Sequence, residues 1–195
     1  MEHIVGIILA AGSAQRMGEP KQLMVYRDKP LLQHVIDAAE ASHLDQVIVV
    51  TGAAADLVEE STRLTRAVAV RNPDPDRGNM SSLAVGAAAT TEANGFVLLM
   101  GDQPDLPTSI IEQMITLWRN QEPWGAVTEY RDRVAHPFLL SPAALDEALA
   151  VGGTKLLWKF LAEDDTGRVV RLTTADAAPI DVNTPEDFQR LDRTR

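Results

Sequence analysis

The chain has 195 residues, 45% of them hydrophobic, a formal charge of −10 and no cysteine. That length suits one domain, residues 1–195, with a sizeable core. The acidic balance argues against nucleic acid as a partner, and the lack of cysteine excludes disulfides, a thiol nucleophile and thiolate metal sites.

No apolar run approaches the ~20 residues of a membrane span, so no membrane contact is expected. The chain opens on Glu2 and an apolar strand with no basic segment before it, which speaks against a signal peptide and for the cytoplasm. An acidic protein can still hold an anionic nucleotide through a local cationic patch or a bound metal ion.

From Ile4 the chain is apolar and rich in β-branched residues, the pattern of a strand buried on both faces. Ala10, Ala11, Gly12 and Ser13 then carry almost no side chain, so a ligand can approach the backbone N–H groups. Arg16 and Lys21 follow, with Gly18 between them. A small-residue loop after a buried strand, followed by two cations, suits a polyphosphate. The spacing fits neither the dinucleotide fingerprint, which needs Gly-x-Gly-x-x-Gly, nor the P-loop, which needs Gly-Lys-Ser/Thr.

Further along, Pro30 to Ala41 has helical apolar spacing, with Pro30 at the first position. Val47 to Thr51 reads as a strand and Ala54 to Arg63 as a helix with Leu57 and Val58 inward. Ala67 to Val70 is a third strand, and Asn72 to Gly78 is a loop by composition. Ser81 to Glu92 reads as a helix capped by Ser81 or Ser82. Phe96 to Met100 is a fourth strand, and a helix from about Ser109 to Trp118 has a possible capping box in Ser109 and Glu112. This alternation implies an α/β fold: three layers, Rossmann-like, a mostly parallel sheet with helices on both faces.

After Asn120 the rhythm loosens. Gly125 to Tyr130 and Pro137 to Leu140 read as strands around a charged turn, and Pro142 to Val151 and Lys155 to Ala162 as helices. Val169 to Leu172 is a strand, and Pro179 to Val182 is extended. Thr184 then caps the last helix, with Pro185 at its first position. Residues 1 to about 120 read as a nucleotide-binding half, and about 121 to 195 as a substrate-facing extension on the same sheet.

Asp102 follows the fourth strand and falls on the sheet edge where ligands sit. Alone it would be a turn residue, yet a polyphosphate site needs a divalent ion, and a strand-end carboxylate can hold Mg²⁺. Asp181 and Asn183 lie on one face of an extended segment. Should this segment hold a metal, charge favours Asp181 of the two, with Asn183 ligating directly or through water. His3, His34 and His43 have no metal-ligand spacing, and Trp118, Trp124 and Trp158 read as packing residues.

Leu9 to Lys21 resembles the Leu-Ala-Ala-Gly and Arg-Met-Gly-x-x-Lys signature of nucleotidyltransferases related to molybdenum cofactor biosynthesis. Gly101 to Leu106 is similar to that family's Gly-Asp-Gln-Pro-x-Leu motif, where the Asp binds metal. Asp181 to Glu186 is similar to its Asp/Asn-x-Asp/Asn-Thr-Pro-Glu motif, which completes the metal site. Gly78 to Gly86 is similar to the segment beside the nucleotide base and sugar, and His136-Pro137 to one on the acceptor side.

The resemblance implies transfer of CMP from CTP to the terminal phosphate of molybdopterin, with release of pyrophosphate and with Mg²⁺ (or Mn²⁺) as cofactor. It implies Arg16, Lys21 and Asp102 as catalytic residues. Nucleotide contacts would come from Leu9, Ala10, Ala11, Gly12, Ser13, Arg16, Met17, Gly18 and Lys21, and from Ser81, Ser82, Gly101 and Asp102. Asp102 and Asp181, with Asn183 as a third candidate, would hold the metal, and His136 and Lys155 would face the acceptor. A transient contact with a molybdoenzyme or its chaperone would follow.

Ala11 matches the members that use CTP, where GTP users carry glycine. Arg131 to Ala135 and Gly152 to Lys155 depart from the family's acceptor segments, which keeps a different phosphorylated acceptor open. Guanylyl transfer stays open as well, and so does a regulator that binds a nucleotide without turning it over.

Overall fold

Strand β1 (Ile4–Ala10) is buried at all seven positions, because it lies inside the sheet and both of its faces are covered. In the computed structural model, which describes residues 2–12, 20–90, 92–151, 161, 163–164 and 166–193, β1 pairs in parallel with β4 (Gln46–Thr51) on one side and β6 (Gly95–Met100) on the other. Beyond β4 lies β5 (Ala67–Arg71), and beyond β6 lie β8 (Val134–Leu140), β7 (Gly125–Glu129) and β9 (Val169–Thr173). The order is β5-β4-β1-β6-β8-β7-β9, and only β8 runs against the rest. The sheet is therefore mostly parallel, as the β-α alternation implies.

Alternating residues of β1 enter two separate cores. Ile4 and Ile8 pack with α1 (Leu31–Glu40), with Val58 of α2 (Ala55–Ser61) and with α4 (Thr108–Gln121). Val5, Ile7 and Leu9 pack with α3 (Asn79–Ala88) and α5 (Pro142–Val151). Helices thus cover both faces and give three layers. A third, smaller core joins Tyr26 and Leu31 to Val182 and to Leu191 of α6 (Pro185–Arg193). No helix among the described residues is long and apolar enough to cross a membrane.

Several local expectations change. A hairpin of β2 (Val25–Tyr26) and β3 (Lys29–Pro30) precedes α1. Its two-residue turn puts Arg27 and Asp28 at φ 46° and 69°, the geometry that usually selects Asn-Gly, so the sequence carries no turn signal there. Leu57 is 50% exposed, because α2 buries Ala55 and Val58 instead. Helix α3 begins at Asn79, and Ser81 donates back to the Gly78 carbonyl (2.8 Å) instead of capping. Glu112 makes no capping box with Ser109: it accepts from the backbone N–H of His43 (2.7 Å). The cap of α6 holds, since Thr184 Oγ1 accepts from the Asp187 N–H while Asp187 Oδ2 accepts from the Thr184 N–H. Most of the helix expected over 155–162, with Trp158, lies outside the described residues.

Candidate active site

The chain leaves β1 toward β4 and β5, then returns to place β6 on the other side of β1. This is a topological switch point, and the crevice lies beyond the carboxyl ends of β1 and β6. Leu9 pairs with Met100, and the Gly101 N–H donates to the Leu9 carbonyl (3.0 Å). That rung sets Ala10, Ala11 and Gly12 beside Gly101 and Asp102. Two glycines make the approach possible. A Cβ on Gly52 would meet the Ala11 carbonyl at 2.3 Å, and one on Gly101 would crowd Leu32, Leu9 and Ala10 at 3.0–3.1 Å. The resulting cleft, about 150 Å³, is lined by Leu9, Ala11, Gly12, Lys21, Asp102 and Asn183 among others.

Charge concentrates at one point in this cleft. Lys21 Nζ donates to Asp102 Oδ2 (2.5 Å) and to Asn183 Oδ1 (2.8 Å). Asp102 is only 7% exposed, and its Oδ1 has no hydrogen-bond partner among the described residues. The Val182 N–H donates to the Asp102 carbonyl (3.0 Å), which ties the strand end to the segment before α6. Val182 is buried in the third core, and Asn183 on one side of it reaches the cleft. Asp181, on the other side, accepts from Gln103 Nε2 (2.7 Å) and from Arg133 (3.2 Å). Asn183 therefore shares the Lys21–Asp102 point, while Asp181 is engaged by other partners.

Two hard oxygen donors of this kind suit Mg²⁺ or Mn²⁺, which take one or two protein ligands and complete their shell with phosphate and water. No group of three or more His, Asp or Glu that could hold a metal ion by itself occurs among the described residues. Asp102 Oδ2 and Asn183 Oδ1 already converge on a cation, and the buried Asp102 Oδ1 lacks a hydrogen-bond partner among the described residues. The donor set fits a divalent ion.

Sequence reasoning missed three supporting residues. Gln22, 3% exposed, donates from Nε2 to the carbonyls of Ala10 (3.0 Å) and Gly12 (2.8 Å) and so holds the turn after β1. Gln103, fully buried, holds Asp181. Arg133 donates to the Pro179 carbonyl (2.8 Å) as well as to Asp181. Gln22 lies next to Lys21 and Gln103 next to Asp102, but a glutamine has no spacing signal of its own.

Ser81 and Ser82 sit at the start of α3, and both hydroxyls accept from Asn72 Nδ2 (2.9 and 3.0 Å). Ser81 lines a second cleft with Asn72, Asp74 and Arg77, separate from the one that holds Asp102; Ser82 is buried. The His136 ring stacks on Phe138, with centroids 4.1 Å apart. Burial pushes its pKa down from 6.5 to about 4, opposed by the Asp102 charge, so this histidine is neutral at pH 7. Ser13, Arg16, Met17, Gly18 and Lys155 lie outside the described residues.

A family model described as the MobA-like NTP transferase domain matches residues 6–169. The crystal structure of Rv0371c from Mycobacterium tuberculosis H37Rv is 33% identical, with a TM-score of 0.87 and 97% of each chain covered. The structure of its complex with manganese gives 0.84, covering 99% of this chain and 100% of that one. The molybdenum cofactor cytidylyltransferase of Escherichia coli (strain K12) is 28% identical over 190 residues, 96% of this chain and 95% of that one. The molybdenum cofactor guanylyltransferase of Shewanella woodyi is 28% identical over 197 residues, again 96% and 95%. The nicotine blue oxidoreductase of Paenarthrobacter nicotinovorans is 30% identical over 117 residues, 60% of this chain; the match spans 57% of that relative.

Proposed function

Since the chain belongs to the MobA-like NTP transferase family and is a nucleotidyltransferase, we propose that it transfers CMP from CTP to the terminal phosphate of a molybdopterin-type acceptor, with Mg²⁺ as cofactor. The observation that carries this reading is the convergence of Lys21, Asp102 and Asn183 beside the small-residue turn at the switch point. Such a turn receives a polyphosphate, and an ion pair next to it neutralises charge. Residues up to about 120 take the nucleotide, and the rest of the chain faces the acceptor.

The acceptor phosphate has a second pKa of about 6 and is largely dianionic at neutral pH, so it attacks the α-phosphate without a general base. His136, neutral above about pH 4, is suited to lining the acceptor side without adding charge. Asp102 and Asn183 would hold the metal, with Asp181 held back by Gln103 and Arg133. A divalent ion there supplies charge neutralisation at the reacting phosphates. Lys21 and Arg16 stabilise the departing pyrophosphate, and alignment does the remaining work.

For the base, Ala11 favours a pyrimidine, because its methyl group crowds a purine. Size discrimination of this kind is worth ~1–3 kcal/mol. The relatives named for cytidylyl and guanylyl transfer are equally similar at 28%. Pyrophosphate release with CTP, Mg²⁺ and molybdopterin tests the reading. Release with CTP and little with GTP is the expected result. Tighter equilibrium binding of GTP than of CTP overturns the cytidylyl assignment. No release with properly folded protein moves the acceptor to another phosphorylated small molecule.

A further inference from the structure

Lys21 rests where a metal ion would. Its ammonium donates to the two oxygens best placed to ligate, Asp102 Oδ2 and Asn183 Oδ1. The pair is shielded from water, with side-chain exposures of 15% for Lys21 and 9% for Asp102, so the attraction is little screened. Nearby, Asp181 is paired with Arg133 and Asp105 with Arg27.

We infer that Lys21 is the resident counter-ion of the metal position, so that the free protein binds divalent metal weakly and the metal–nucleotide complex is the form it takes up. The inference rests on the reading of Asp102 and Asn183 as the metal-holding pair. An ammonium and a dication cannot occupy the same two oxygens, so metal entry requires Lys21 to leave. Leaving strips a shielded ammonium of its partners, which is unfavourable unless a new anion receives it. The polyphosphate of the nucleotide is that anion: it draws Lys21 away from Asp102 and Asn183 and vacates both oxygens for the metal. Each ligand therefore raises the affinity of the other, and by linkage the two factors are equal.

The test uses Mn²⁺ alone as probe, with free ion counted by electron paramagnetic resonance and no nucleotide present. Lys21→Met should bind Mn²⁺ at least 10-fold more tightly than the parent chain, and Asp102→Asn in the same background should cancel the gain. Equal or weaker binding by Lys21→Met overturns the inference. Lys21→Gln, which keeps a polar head without charge, gives the same reading if the methionine variant fails to fold.

The unaltered chain supplies a second measurement: acetylation of Lys21, followed by mass spectrometry. Saturating Mn²⁺ should speed acetylation of Lys21 but not of Lys29, and an unchanged Lys21 rate overturns the inference. A chain that fails these tests yet releases pyrophosphate from CTP loses only the counter-ion role. A chain that passes them yet releases none keeps the counter-ion and loses the proposed reaction.

Discussion

On the β1–β6 side of the cleft, position is set by a backbone ladder between strands buried on both faces. On the β7–β9 side the strands are held by the same sheet, but the turn after β7 and the segment before α6 are joined by charged contacts at the surface. Arg133 pairs with Asp181 at 45% and 41% side-chain exposure, and Asp132 accepts from the Ala178 N–H (2.9 Å). The first kind of support is worth many kcal/mol shared over a core, whereas an exposed ion pair is worth about 0–1 kcal/mol and weakens with salt. The wall proposed to hold triphosphate and metal is the stiff one. The wall proposed to face the acceptor rests on the more adjustable contacts.

The stiff wall is best broken at its chemical end. Asp102→Asn keeps the shape and one acceptor oxygen for Lys21 but removes the charge. Turnover should fall by at least about 100-fold in kcat, with the thermal midpoint little changed and CTP affinity reduced less. Near-normal turnover at limiting Mg²⁺ would make Asp102 a turn residue only.

The next effect is on the core behind it. Gly86 of α3 leaves no room for a methyl: a Cβ would lie 2.7 Å from Ile7 Cγ2 and 2.9 Å from Val50 Cγ2. Both neighbours are β-branched residues locked in strands, so Gly86→Ala should destabilise by roughly 1–3 kcal/mol despite its better helix propensity. Urea unfolding checks this, and an unchanged midpoint would mean that the core is softer than the ladder suggests.

The adjustable wall should respond more gently. Arg133→Ala should cost less than about 1 kcal/mol of stability, raise KM for the acceptor and leave CTP binding as it was. If CTP affinity falls in step with the acceptor, the two walls are one unit. The smallest effect concerns His136. Its pKa in the folded chain, about 4, lies below the ordinary 6.5, so the unfolded chain takes up the proton first. Stability should be independent of this residue above pH 6.5 and should decline as pH falls from there toward 4. His136→Gln should flatten that part of the stability profile.

The stiff half was the more legible one. Continuous apolar runs such as Ile4 to Ala10 and Phe96 to Met100 mark strands buried on both faces, and strand order then carries Asp102 to the same edge as Gly12. The hairpin at Arg27-Asp28 was not legible, since its positive φ angles are imposed by the packing of Tyr26 and Leu31 rather than by turn residues. The partners of Asp181 were not legible either. Charge made it a stronger metal candidate than Asn183, but which neighbour satisfies a carboxylate depends on contacts between residues as far apart as Gln103 and Asp181. Gln22 is the same case: its role comes from two carbonyls twelve and ten residues earlier in the chain.

The rung between Leu9 and Gly101 also limits how chains of this kind can change length. One residue added within β6 would turn Asp102 to the opposite face of the sheet and carry Gly101 off the Leu9 carbonyl, since side chains alternate along a strand. One residue added between Arg131 and Arg133 disturbs that exposed turn and its contacts with Asp176 and Ala178, but leaves the rung between Leu9 and Gly101 in place. Insertions and deletions should therefore be purged within β1 and from β6 to Asp102, and be better tolerated in exposed turns such as the one after β7. The spacing from β6 to Asp102 is a fixed length inherited with the sheet, whereas the acceptor side can be redrawn one loop residue at a time.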